Sequence, residues 1–397
     1  MRIRRCLALA LLLCLLAPHR ALAAPLEAEP PFEAQAASLL LLEADSGQVI
    51  FELNADEERP VASVTKLMTI LLLLEMLDEG TLTLEEEVTV SQNAASMGGS
   101  QALLDAGGVY KLETLLSSLI VASANDSAVA LAEHALGSEE NFVAAMNRRA
   151  GELGLHGTQY INTTGLPVEG QHTTARDIAA LSLEVLRHER FFQYSTIWME
   201  DLTHNSGRVT SLVNTNRLVR FYEGADGVKT GSTQEAGFCV SASAKRGELR
   251  FVAVVLGAAS SKERFSIATS MLDYGFDHYA YKTLDAGTAP SLSGLAVDNA
   301  KGETVDLYLA KPLRYLCKKG EESTLRVEYQ APASLYAPFE KDQALGSAVV
   351  YRNDEVIDRV SLVAGRSVNP TGFLVNLRAI FRLWPVAGGS GSTALSD

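Results

Sequence analysis

Three short motifs in this 397-residue chain carry groups capable of covalent chemistry: Ser63-Val64-Thr65-Lys66, Ser123-Ala124-Asn125 and Lys229-Thr230-Gly231. Ser63 and Lys66 are three apart at the head of an apolar segment, so a helix there puts them on one face. A serine becomes a strong nucleophile only when a neighbouring base takes its proton. Lysine is such a base when burial and a second cation lower its pKa. A helix N-terminus also favours developing oxyanions. Ser123 closes a Leu/Ile/Val-rich helix pattern, where its hydroxyl can pass a proton to a departing amine. The Asn125 amide beside it can bond substrate and Lys66. Lys229, expected on a central strand facing a cleft, can hold a carboxylate together with the Thr230 hydroxyl. Gly231 leaves room for another backbone alongside, as in strand-type substrate pairing. Taken singly, each motif has an ordinary reading as a chance match, a helix cap or an edge-strand lysine. In this order and together they form the set that an acyl-serine enzyme acting on a peptide C-terminus requires.

These residues need a scaffold that folds distant segments together. Leu39–Leu42 and Val49–Leu53 flank Asp45-Ser46-Gly47 and predict a hairpin. Ser63 to Leu77 is almost wholly apolar after the motif, which predicts a helix surrounded by protein. Helical patterns recur over Leu112–Ala124, Ser127–Leu136, Glu140–Leu153, Thr174–Arg187 and Phe265–Phe276. Gly227–Thr233, Phe238–Ala244 and Leu249–Leu256 are β-rich runs separated by turn signals and predict consecutive antiparallel strands. Strands at both ends of a helical region give an α+β fold over residues 38–283, an antiparallel sheet flanked by helices. Residues 284–366 change style. Val305–Leu309, Leu313–Cys317, Thr324–Tyr329, Ala348–Tyr351 and Val356–Val363 predict a separate small all-β domain.

The ends carry their own signals. Arg2, Arg4 and Arg5, the apolar run Cys6 to Ala17 and Ala21-Leu22-Ala23 make residues 1–24 a signal peptide. Its apolar run is shorter than the ~20 residues of a membrane-spanning helix. Residues 25–37 read as a short leader. Over 367–386, helical spacing puts Phe373, Leu377, Ile380, Phe381 and Trp384 on one face and Arg378 and Arg382 on another. That pattern predicts an amphipathic helix on a membrane surface, with docking against the β domain as its alternative. Residues 387–397 are a polar tail expected to be disordered. A formal net charge of −14 argues against nucleic acid as a partner. Cys239 and Cys317 are expected to be buried and unpaired, and no spacing calls for a metal or other cofactor.

With its motifs in this order, the chain resembles the penicillin-recognising serine enzymes, and among them the low-molecular-weight penicillin-binding proteins that are D-alanyl-D-alanine carboxypeptidases. The likeness extends to Ala62 and Leu67-Met68-Thr69 around the first motif, Asn125-Asp126, Met146-Asn147, Leu153-Gly154-Leu155, Asn162-Thr163-Thr164-Gly165-Leu166, Thr174-Ala175-Arg176-Asp177, Asn214-Thr215-Asn216 and Asp226-Gly227-Val228. The resemblance implies a β-lactamase/transpeptidase-like fold. It implies that Ser63 attacks the carbonyl between two D-alanines of a peptidoglycan stem peptide, that Lys66 takes its proton and that Ser123 relays it. It also implies that Asn125 holds this network, that Lys229, Thr230 and Gly231 line the carboxylate site, and that the N–H groups of Ser63 and Ser232 form an oxyanion hole. β-Lactam antibiotics would acylate the same serine, and the enzyme would work at the outer face of the bacterial cytoplasmic membrane. Ser232 stands where relatives often have His, and Thr215 where some have Arg, which bears on substrate preference. The alternatives are a D,D-endopeptidase, a β-lactamase and a non-catalytic wall-binding scaffold. The β-lactamase reading lacks its expected Glu with Asn four residues later: Glu152 is followed by His156 and Glu169 by Thr173.

Overall fold

The computed structural model describes residues 25–32 and 34–371. The chain divides into two units, Met1–Tyr279 and Ala280–Asp397. The first is built on a five-stranded antiparallel sheet of β1 (Ser38–Glu43), β2 (Val49–Leu53), β3 (Ala225–Thr233), β4 (Gly237–Arg246) and β5 (Leu249–Ala258), in the order β2-β1-β5-β4-β3. The β1–β2 turn closes where Glu43 Oε2 accepts the Ser46 N–H at 2.8 Å. The central strand β5 is apolar without alternation because both of its faces are covered. Val252, Val254 and Leu256 join the main core. Phe251 points the other way, against Gly275 and the Phe276 ring at 5.0 Å.

Those two faces are covered by helices. α1 (Lys66–Asp78) is buried nearly all round, as its apolar composition predicts. It packs among α2 (Leu112–Val121), α3 (Asn125–Leu136) and α4 (Ala175–Val185). The hydroxyl of Thr174 accepts the Asp177 N–H at 3.0 Å and caps α4. On the opposite face lies α5 (Ser261–His278), capped by Ser260 through the Glu263 N–H. Each fully buried aliphatic side chain here contributes about 1.5–3 kcal/mol.

The second unit holds a six-stranded sheet, ordered Leu325–Gln330, Ala344–Arg352, Glu355–Ala364, Thr304–Leu309, Leu292–Val297 and Ser334–Leu335. A separate pair joins Tyr279–Asp285 to Leu313–Lys318. Leu307, Ala348, Val350 and Leu362 lie at its core. Cys239 and Cys317 are free and buried.

Several expectations change. Ser63 is not in the long helix: Ala62–Thr65 form a 3-10 turn and α1 starts at Lys66. β3 is the edge of its sheet, not a central strand. The strand Tyr279–Asp285 runs through the boundary expected at residue 284. A short hairpin joins Met199–Thr203 to Val209–Val213, whose sequences show no clear apolar alternation and give no strand signal. Within the expected terminal helix, residues 367–371 are non-helical, and Val368 pairs with Phe339. The rest of that segment, the tail and the signal-like residues 1–24 lie outside the described residues. Part of the leader runs beside β2, where the N–H groups of Leu26 and Glu27 donate to the carbonyls of Val49 and Ile50.

Candidate active site

The nucleophile turn is shaped by backbones that touch it. Ala62 has φ 51°, a conformation uncommon for a residue with a side chain. A Cβ on Gly231 would lie 2.5 Å from Val61 O and 2.8 Å from Ser63 N. A Cβ on Gly165, at φ +78°, would lie 1.9 Å from Ala62 O. The room expected beside Gly231 for a substrate strand is therefore filled by residues 61–64 of the chain itself. These two contacts wedge the serine between the sheet edge and the loop of residues 162–166.

That wedge leaves Lys66 facing inward. Its Nζ lies 2.8 Å from Ser63 Oγ and donates to the Thr164 carbonyl at 2.6 Å. Asn162 holds the loop in place, its Oδ1 accepting the Gly165 N–H at 2.7 Å. Lys66 is 0% exposed. Burial, then the nearby charge of Lys229, push its pKa well below the ordinary lysine value, against a smaller opposing pull from Asp126. A lysine so placed can be neutral and accept a proton from Ser63.

The other two motifs converge from the opposite side. After α2 the chain turns sharply at Ser123, with φ 61°. The Ser123 hydroxyl accepts from Lys229 Nζ at 2.6 Å. Lys229, 1% exposed, also donates to Thr230 O at 3.2 Å. Burial, and after it the charge of Arg264, lower its pKa to about 7. Asn125 opens α3. Its N–H donates to Ser100 O at 2.7 Å and its Nδ2 to Gly98 O at 2.6 Å, while the buried Oδ1 has no partner. A buried acceptor left open at such a site is suited to a donor on a ligand or on a moving lysine. Thr230 is buried and Ser232 is exposed at the rim.

The structure thus pairs Ser63 with Lys66 and Ser123 with Lys229, sets the Lys229 charge near Lys66, and packs Gly231 against the serine turn, with Asn125 two residues on from Ser123. Residues 24–260 match the D-alanyl-D-alanine carboxypeptidase family. The chain belongs to this family. Residues 280–370 match the C-terminal domain of penicillin-binding protein 5. The chain is 38% identical over 351 residues to D-alanyl-D-alanine carboxypeptidase DacF of Bacillus subtilis (strain 168), covering 88% of this chain and 90% of that one. It is 32% identical over 342 residues to D-alanyl-D-alanine carboxypeptidase DacC of Escherichia coli (strain K12), covering 84% of each. Among solved structures, penicillin binding protein 5 from Haemophilus influenzae superposes with a TM-score of 0.73 at 29% identity, over 86% of this chain and 99% of that one.

Three further residues take parts here that the sequence reading does not assign, although it names Asp126 and Thr164 within its motifs. Asp126 accepts the N–H groups of Ala102 and Leu104, each at 3.0 Å, and so ties the loop that receives Asn125. Thr164 offers only its backbone carbonyl to Lys66, which no side-chain pattern can reveal. Arg264, from the first turn of α5, reaches the sheet edge and donates to Gly231 O at 2.9 Å and Cys239 O at 3.2 Å. Burial pushes its pKa down to about 10. The sequence around it, Ser261-Lys262-Glu263-Arg264, reads as an ordinary polar first turn and gives no signal of this role.

Proposed function

We propose that this chain removes the terminal D-alanine from peptidoglycan stem pentapeptides through an ester on Ser63. The observation that carries the reading is the 2.8 Å approach of Ser63 Oγ to the buried, pKa-lowered Lys66. Neutral Lys66 takes the Ser63 proton as Oγ bonds to the carbonyl carbon between the last two D-alanines. The N–H groups of Ser63 and Ser232 receive the oxyanion, a kind of donor worth ~3–4 kcal/mol. The C–N bond then breaks, and Ser123 passes the proton to the departing amine. Lys229, Thr230 and Arg264 hold the carboxylate of the released D-alanine. Water, with Lys66 as base again, frees the tetrapeptide.

β-Lactams acylate Ser63 by the same geometry. The deacylating Glu with Asn four residues later that a β-lactamase of this layout uses has no match here, since Glu152 is followed by His156 and Glu169 by Thr173. This supports slow release of the penicilloyl group over β-lactamase turnover. The signal-like residues 1–24 support export, and the amphipathic pattern of residues 367–386 supports attachment to the outer face of the cytoplasmic membrane. Among the described residues no helix is long and apolar enough to cross a membrane.

Mass spectrometry of penicillin-treated protein, with mapping of the adduct, tests the nucleophile. The adduct is expected on the peptide containing Ser63, and Ser63→Ala is expected to lose both labelling and D-alanine release while keeping its thermal unfolding midpoint. Labelling that persists in Ser63→Ala would place the nucleophile elsewhere.

A further inference from the structure

A cavity of about 550 Å³ opens beside Arg264, walled by Trp198, Val213, Thr215, Arg217 and Phe221. Two arginines line it and no acid does. Arg264 is 7% exposed and spends Nη1 on two backbone carbonyls, leaving Nε without a partner. Arg217 is exposed, and its charge adds to the burial that lowers the Arg264 pKa, so the two cations share one field. Arg220 stacks on the Trp198 ring at 5.3 Å and the Phe221 ring at 5.7 Å, which holds both aromatics upright as a wall.

A departing D-alanine offers this cavity one carboxylate and one methyl group. The carboxylate is taken by Lys229, Thr230 and Arg264, and neither the Arg217 charge nor the apolar wall is used. A residue with a second carboxylate on an aliphatic arm would use both, its methylenes against Val213 and Phe221 and its far carboxylate on Arg217.

We propose that this cavity is a specificity subsite for the departing residue, in which Arg217 selects a D-amino acid whose side chain ends in a carboxylate. The inference rests on the reading of Ser63 as the acyl-forming serine. The chemistry is unchanged: the ester forms on Ser63, the amide C–N bond breaks, and the amine leaves with the proton relayed by Ser123.

Three N-acetylated peptides test it on the full-length protein, ending in D-Ala-D-Ala, D-Ala-D-Glu and D-Ala-D-Gln. The last two are isosteric and differ in charge. kcat/KM is expected to favour D-Glu over D-Gln by about tenfold, mostly through KM, as one charge-assisted hydrogen bond gives. In Arg217→Gln that ratio should fall to about one, and Arg217→Lys should restore part of it. Equal rates for D-Glu and D-Gln in the unsubstituted protein overturn the inference, as does a preference that survives in Arg217→Gln. An equal loss on all three peptides in that variant also overturns it, by assigning Arg217 to the common carboxylate anchor or to structure. Cleavage of the D-Ala peptide alone overturns the subsite and leaves the proposed function standing. Cleavage of none of the three overturns both.

Discussion

Two buried lysines face each other across the candidate site with no carboxylate hydrogen-bonded to either Nζ among the described residues. Burial and then the charge of Lys229 lower Lys66, while burial and then the charge of Arg264 lower Lys229. Removing Lys229 therefore raises the Lys66 pKa. In Lys229→Met, the acid limb of the pH profile for β-lactam acylation is expected to move to higher pH. An unmoved limb would mean that burial alone sets Lys66. The same variant has a stability signature. The Lys229 pKa drops from 10.5 to about 7 on folding, so between those values the unfolded chain binds more protons. Stability from this group is full above pH 10.5 and is lost as pH falls to about 7. The thermal unfolding midpoint of Lys229→Met should depend less on pH across that window than that of the parent. The price of the site is thus an unfavourable pair of buried bases.

At the scale of elements, catalysis depends on how closely three backbones meet. The 3-10 turn of residues 62–65 is held between Gly231 on β3 and Gly165 on the 162–166 loop. Gly165→Ala would put a Cβ into the Ala62 carbonyl and at a left-handed φ. It is expected to lower the penicillin acylation rate at least tenfold and to cost about 2 kcal/mol or more in urea unfolding. A variant acylated at the parent rate would show that the turn tolerates displacement. The sheet edge matters for the same reason. β3 carries Lys229 and Thr230 on an edge, so one side of that strand has no partner strand in its sheet, and Arg264, which lines the cavity, bonds to it at Gly231 O.

For the whole molecule, every residue assigned to the chemistry, from Ser63 to Arg264, belongs to the first of the two units. A chain ending at residue 279 is accordingly expected to be acylated by penicillin at the rate of the intact protein. The intact protein should sediment with vesicles containing anionic lipid, and a chain ending at residue 371 should not. Loss of acylation in the shorter chain would tie the β domain to the site. Sedimentation of the chain ending at 371 would move the membrane contact out of the terminal segment.

The order of types along the chain determined the chemistry and most of the elements. Ser63 and Lys66 at helical spacing, a polar bend after an apolar helix and a lysine on a β run point together to acyl-serine chemistry, because nucleophile, base and anion anchor are properties of side chains. The apolar runs of α1 and β5 were legible because burial on all sides leaves no polar alternation. Tertiary structure decided what those patterns cannot carry. It set which strand became the sheet edge, that the space at Gly231 belongs to the turn at Ser63, that the Thr164 carbonyl meets Lys66, and that a guanidinium from α5 meets the sheet edge at Gly231. Backbone groups have no sequence signature, and contacts such as Lys66 to Thr164 span residues far apart in the chain, so only packing brings them within reach.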